Sequence, residues 1–212
     1  YQNELLDYSE RLTRQGIRSF PDGSWSFTDY IDDDGFDPGP IKIVVSLTKK
    51  DDSIHVDFSG TSPQARGAIN PPLVSVKAQC YAVLRCVLNA VGIDPPNTGG
   101  YFRPMTVSAP EGSFANPVLP APVAARAIGM FRTAQAVFGA FAQMLPDKIL
   151  ASSGGCELGI AMAGYDKSKI PWKPWVQLEF HNEQGWGGRP NKDGIDGQTA
   201  HMLNMANIPA EE

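Results

Sequence analysis

The hydrophobic period of this chain switches from two to near four, and that switch limits what it can fold into. Between positions 24 and 58 the residues alternate. Trp25, Phe27 and Asp29 alternate with Ser24, Ser26 and Thr28, and Ile41, Ile43, Val45 and Leu47 with Lys42, Val44, Ser46 and Thr48. Ile54, Val56 and Phe58 alternate with His55 and Asp57. Such alternation gives a strand one buried face and one wet face. Asp32-Asp33-Asp34-Gly35 and Lys49-Lys50-Asp51-Asp52 separate the runs with turn-forming residues. An antiparallel meander of three strands is therefore predicted.

From Leu73 to Val91 the pattern is helical, with Val76, Cys80, Val83, Leu84, Val87, Leu88 and Val91 on one stripe. Pro71-Pro72 precede it, where missing N–H groups do no harm. Gly92 follows in the place of a C-terminal cap. A second long helix is predicted from Ala124 to Leu145, with Met130, Phe131, Ala134, Val137, Phe138 and Phe141 on a broad apolar face. A further amphipathic helix is predicted over residues 4–19, with Leu5, Tyr8, Leu12, Gln15 or Gly16, and Ser19 nearest its apolar side. Short strands are expected at 102–109, 149–152, 158–163 and 175–181. Residues 185–212 are rich in Gly, Asp and Asn and weak in periodicity. Gly and Pro together make about 18% of the chain, against roughly 12% in an average protein, which favours a turn-rich architecture.

The expected class is α+β: an antiparallel β-meander packed with two long amphipathic helices and a Gly-rich loop region. Three segments follow: helix plus meander at 1–70, two helices with an intervening strand at 71–148, and short strands with a Gly/Asp-rich loop at 149–212. Together they read as one continuous part of a larger subunit. The chain opens on Tyr1 and stops at Glu211-Glu212, so both ends read as cut.

Net charge is −5 and the longest basic run is Lys49-Lys50. Nucleic-acid binding needs a concentrated positive stripe, so that class is set aside. No apolar run approaches the ~18 residues of a membrane span, and no signal peptide is expected. Cys80, Cys86 and Cys156 lack CxxC spacing, and Cys80 and Cys86 fall on different helix faces. Buried free thiols in a reducing compartment, hence a cytoplasmic protein, are expected.

There is no GxSxG, HExxH or GxxxxGK[ST] pattern. Of the three histidines, His55 lies on the polar side of a strand and reads as a surface residue. His181, Asp193, Asp196 and His201 hold donor types that a zinc or manganese ion takes, without a recognised ligand spacing. Asp32, Asp33, Asp34 and Asp37 lack the alternation of a calcium loop and read as a solvated hairpin. Asp57-Phe58-Ser59-Gly60-Thr61-Ser62 ends a strand in small hydroxyl residues. They either bond nearby backbone or line a site. The strongest local signal is Gly185-Trp186-Gly187-Gly188-Arg189-Pro190-Asn191-Lys192-Asp193-Gly194-Ile195-Asp196-Gly197. Such a loop either cradles an anion through backbone N–H groups or is a crowded turn held by internal Arg–Asp bonds.

Several blocks, in order along the chain, resemble the hydantoinase B/oxoprolinase family. They are Asp57 to Gln64 with Gly67, Ile69 and Asn70; Phe102-Arg103-Pro104; Ala109 to Ser113 with Asn116-Pro117; and Ala140 to Gln143 with Ser152 to Gly155. The Gly187 to Gly197 block, with His201-Met202, Asn204, Asn207, Pro209 and Glu211, continues the match. The opening segment from Tyr8 to Gly35 also fits. One departure is Ile128-Gly129-Met130-Phe131-Arg132-Thr133, where many relatives carry an Asn-Val-Glu-Thr-Ser type of sequence.

The resemblance implies an ATP-dependent enzyme in which an A-type, actin-like ATPase subunit phosphorylates a carbonyl or amide oxygen. A B-type part then completes hydrolysis or carboxylation. The Gly-rich block resembles the hydantoinase and oxoprolinase type, which points to cyclic amide hydrolysis. A ketone carboxylase subunit and a noncatalytic assembly module are the alternatives. Arg189, Asp193, Asp196 and His201 are the candidate residues for contact with substrate or with groups around a metal. Ser59, Thr61 and Asn204 are candidates for substrate binding. No metal is expected within these residues; ATP with magnesium and an upstream divalent metal would serve the full enzyme. The implied partners are the A-type ATPase subunit and the remainder of the B-type subunit, in a hetero-oligomer.

Overall fold

The computed structural model describes residues 1–154, 158–181 and 183–199. The alternating region forms β1 (Gly23–Asp33), β2 (Pro38–Lys50) and β3 (Ser53–Asp57), paired antiparallel. Trp25 lies opposite Leu47, Phe27 opposite Val45, Asp29 opposite Ile43 and Ile31 opposite Ile41, all on one face. That face is the core: Ile43, Val45, Leu47, Ile54 and Val56 are almost wholly buried. The opposite side of β2, with Lys42 and Thr48, stays more open to solvent.

Two helices cover the buried face. The first predicted helical stripe is α2 (Leu73–Ala90), and its inward residues Val76, Cys80, Val83, Leu84, Val87 and Leu88 are all buried. Gly92 adopts φ 81° and ends it, with Gly92 N–H bonding Asn89 O and Ile93 N–H bonding Leu88 O. This is the two-bond glycine cap that satisfies a helix's last carbonyls. The second is α3 (Arg126–Met144), which lies across β1 and β2 and beside α2. The segments 1–70 and 71–148 thus share one hydrophobic core. The class is α+β, as expected.

Several details differ from the sequence reading. The strand expected at 102–109 is shortened to β4 (Met105–Ser108), and it joins the sheet parallel to β3 after the crossover through α2. The sheet order is β1-β2-β3-β4, so the meander carries one parallel strand at its edge. The N-terminal helix, α1 (Gln2–Arg18), turns inward a face that shares Gly16 with the expected one but is otherwise different. Ser9, Thr13, Gly16 and Ile17 are buried, whereas Leu5 and Tyr8 are exposed. Small residues win this face because α1 sits close to its neighbours: a Cβ on Gly16 would collide with Leu88, and Ser9 hydrogen-bonds Pro96 O at 3.1 Å. Charged groups finish the docking, as Arg14 bridges Glu10 and Asp52, and Arg103 bridges Asp7 and Glu10. Cys80 is buried, and that burial pushes its thiol up, but Cys86 is exposed, against the expectation of buried thiols. Cys156 lies outside the described residues.

Beyond α3, residues 149–152 form no strand. β5 (Leu158–Asp166) and β6 (Lys173–His181) make an antiparallel hairpin. Where the region read as an aperiodic loop begins, β7 (Glu183–Trp186) runs into it and pairs with β8 (Ile195–Thr199) as a second hairpin with a register shift. Among the described residues, no helix is long and apolar enough to cross a membrane.

Two positions test these contacts. Gly129 faces the Ile69 carbonyl, Phe114 and Pro71 so closely that a Cβ would force the start of α3 off its seat. Gly129→Ala is expected to destabilise the full-length protein by about 1–3 kcal/mol, seen as a lower Tm; an unchanged Tm would refute this close seating. The second position is in the β1–β2 turn, where Asp34 accepts N–H bonds from Asp37, Gly67 and Phe36. These hold its carboxyl at about 2, below the ordinary 3.8. The carboxylate loses its proton more readily folded than unfolded, so its contribution is full above 3.8 and fades as pH falls toward 2. The Tm gap between wild type and Asp34→Asn should therefore be widest near neutrality and close over that acid window. A gap independent of pH would contradict the assignment.

Candidate functional site

The turn after β3 is held by its own polar groups. Thr61 Oγ1 accepts the Val44 N–H at 3.0 Å and donates to Val44 O at 3.2 Å. Ser62 Oγ accepts the Lys42 N–H at 2.9 Å, so the turn runs beside β2 as a pseudo-strand. Asn70 is fully buried; its Oδ1 accepts the Ala65 N–H, and its Nδ2 bonds the carbonyls of Ala65, Gly67 and Pro122. Of the two candidate substrate contacts here, Thr61 is occupied with backbone and Ser59 is exposed. Asn70→Ala should lower stability by roughly 1–3 kcal/mol, because it strands buried backbone groups; urea denaturation with no midpoint shift would rule out the knot.

His55, Thr106, Ser108 and Asp57 form a hydrogen-bonded ladder across β3 and β4. Ser108 donates its one hydroxyl proton to Asp57 at 2.7 Å, leaving none for His55. Burial works against the Asp57 charge, but hydrogen bonds from Ser108 and Ser59 outweigh it and hold the carboxyl below its ordinary range. The ladder thus lacks the order of a nucleophile–base relay, in which the base must take the hydroxyl proton. His55 is exposed, as expected.

The Gly-rich block folds back on the segment after α3. Gly187 N–H reaches the carbonyls of Ala151 and Ser152, and Ala151 N–H bonds Gly188 O at 3.0 Å. A Cβ at Gly187 would collide with Ala151, so glycine is required there. Arg189 donates twice, at 3.1 and 3.0 Å, to the backbone carbonyl of Asp193. Both Arg189 and Asp193 are exposed. Of the two readings, the crowded turn held by an internal Arg–Asp bond describes Arg189, with the backbone of Asp193 as acceptor. Asp196 falls on β8, but its side chain, that of His181, and all of His201 and Asn204 lie outside the described residues. Among the described residues no three His, Cys, Asp or Glu side chains converge as metal ligands.

What the block does build is one wall of a cavity. Trp186, at its start, meets the Phe138 ring edge-on at 5.9 Å. Gln135 on α3 clasps the same segment, donating to Ser153 Oγ at 2.7 Å and accepting from Ser152 Oγ at 2.8 Å. Between this wall, α3 and β1 lies a cavity of about 420 Å³. Phe27, Phe138 and Trp186 supply aromatic walls, and Asp29 and Arg132 supply an ion pair. A Cβ on Gly139 would strike the Phe27 ring, so the missing side chain gives that ring its place. Volume and lining suit a small-molecule site: mostly apolar, with a few convergent polar groups.

Neither Asp29 nor Arg132 was among the candidates read from sequence. Both carried a signal. Asp29 shares the buried phase of β1 with Trp25, Phe27 and Ile31, and Arg132 sits beside Phe131 in an apolar helix. Two charges on facing, half-buried surfaces call for each other, because a charge taken partly out of water without a partner is costly.

The hydantoinase B/oxoprolinase family profile matches residues 1–212. The chain belongs to the hydantoinase B/oxoprolinase family. It is 33% identical, over 99% of its length, to a Pseudomonas sp. (strain NS671) protein named as the B-type subunit of a D-/L-hydantoinase, of which it spans 36%. Its fold is similar to the crystal structure of ATP-dependent caprolactamase from Pseudomonas jessenii, with TM-score 0.77 and 26% identity, covering 93% of this chain and 34% of that one. It also resembles acetone carboxylase in its nucleotide-free structure, with TM-score 0.70, covering 91% of this chain and 27% of that one. At 14% identity this last likeness is one of fold alone. The chain therefore spans about a third of the length of the hydantoinase and caprolactamase relatives.

Proposed function

We propose that this chain is part of a B-type subunit of an ATP-dependent hydrolase of cyclic amides of the hydantoin or 5-oxoproline kind. It would act on an intermediate phosphorylated by an A-type ATPase partner. The observation that supports this most is the match to a B-type hydantoinase relative along 99% of the chain. A ring amide resists water because its nitrogen lone pair is delocalised into the carbonyl. Phosphorylating the oxygen turns it into an activated imidate that water can attack. The work left to the B-type part is to hold that intermediate and place the attacking water against it.

On this reading, Arg189, Asp193, Asp196 and His201 contact the substrate or groups around a metal, with Ser59 and Asn204 as further substrate contacts, while Thr61 holds the backbone of Val44. ATP with magnesium and the divalent metal belong to parts of the enzyme outside these residues. The full enzyme is a hetero-oligomer with the A-type subunit, in the cytoplasm. The acetone carboxylase likeness, being one of fold, leaves ketone carboxylation as the second reading.

The test is co-expression of the full-length protein with a hydantoinase A-type subunit. ATP hydrolysis stimulated by hydantoin or 5-oxoproline is expected, falling at least ~10-fold in Arg189→Ala or His201→Ala. Stimulation by a ketone with bicarbonate instead would establish the carboxylase. Complex formation with turnover unchanged in both variants would mean a noncatalytic assembly module.

A further inference from the structure

The α3–β1 cavity presents a donor and an acceptor side by side between aromatic walls. Arg132 donates one Nη2 bond to Asp29 Oδ1, which also accepts the Tyr30 N–H at 2.8 Å. Among the described residues, nothing else bonds Asp29 Oδ2 or the remaining guanidinium N–H groups. The Arg132 Nε is buried with no partner. Arg132 and Asp29 are each only partly exposed, at 27% and 17% of the side chain. The pair is already neutral, so it does not call for an anion. It calls for a neutral group that accepts from Arg132 and donates to Asp29 at once.

Ring amides have that form. A small lactam or cyclic imide holds its amide cis, so the C=O and N–H leave from one edge. An open-chain secondary amide is trans and sends them in opposite directions. The ring faces would meet Phe27, Phe138 and Trp186, which line the same cavity. We propose that this cavity binds the cis-amide edge of a small cyclic amide, its carbonyl oxygen accepting from Arg132 and its ring N–H donating to Asp29. This rests on the cyclic-amide reading above and adds a subsite whose lining includes neither Arg189 nor Asp193. Arg132 and Asp29 are specificity-determining residues in it.

The experiment measures binding to the full-length protein by calorimetry or ligand-observed NMR, with three probes: γ-butyrolactam, N-methyl-γ-butyrolactam and N-methylacetamide. The lactam should bind tightest, and both losing the ring N–H and opening the ring should weaken binding at least ~10-fold. Arg132→Met should weaken lactam binding by ~10–100-fold. Because that change strands Asp29, Ala142→Phe serves as the second variant: Ala142 lines the cavity and is not a member of the ion pair. It should abolish lactam binding with Tm retained. Equal binding of the lactam and its N-methyl form, or full lactam binding in Ala142→Phe, overturns the proposal. The functional reading fails separately. Lactam-stimulated ATP hydrolysis with the A-type subunit, alongside unaltered binding in the cavity variants, removes the subsite and keeps the function. Cavity binding lost in Ala142→Phe, with no lactam-stimulated hydrolysis, keeps the subsite and removes the function.

Discussion

Helix α3 reaches the sheet and its neighbouring loop because two of its residues carry no side chain. Gly129 lets its first turns press against the Ile69 carbonyl, and Gly139 lets the Phe27 ring lie on its backbone. A helix axis packs ordinarily about 8–10 Å from its neighbour, and side-chain size at the contact sets the value. With glycine at both contacts, α3 lies close enough to bury Ala134, Ala136, Val137 and Phe141 against the core. The same position carries Arg132 to Asp29 on β1 and Gln135 to Ser152 and Ser153. The cavity follows from α3's seat: it is the space left beside Gly139, with Trp186 as a further wall.

The blocks that carry the family resemblance divide by physical role. Thr61, Ser62 and Asn70 bond backbone groups of β2 and of the turn itself. Asp34 ties the β1–β2 turn to Gly67, where any side chain would overlap the Asp34 backbone. Buried or crowded turns cannot leave N–H and C=O groups unpaired, so the side chains that satisfy them belong to the architecture. The Gly-rich block is mixed. Gly187 is required for docking against Ala151, while Arg189 faces outward and bonds its own hairpin. Such a division explains why a motif match supports the family well and individual chemical roles less directly.

Local pattern was enough for the three helices, the three-strand meander, the Gly92 cap and the buried face of each strand in the meander. In each, the period of apolar residues records which side is buried, and burial contributes most of the free energy that decides it. The same signal misled at α1. There the inward side is Ser9, Thr13, Gly16 and Ile17, because close docking favours small residues over Leu5 and Tyr8. It was silent around the Gly-rich block, where the short strands β7 and β8 carry too few apolar residues to show a period.

By itself the sequence determined the main elements, the family and the buried phase of the meander strands, since all three are written in residue order and spacing. Only the tertiary structure decided what those buried faces meet. It placed β4 parallel beside β3 and closed the Gly-rich block onto Ala151. It also brought Arg132 to Asp29 across 103 positions. Periodicity specifies that a surface is covered, not by which partner. That choice depends on shape and charge matching between distant segments, and for Asp29 and Arg132 it was the need of each half-buried charge for the other.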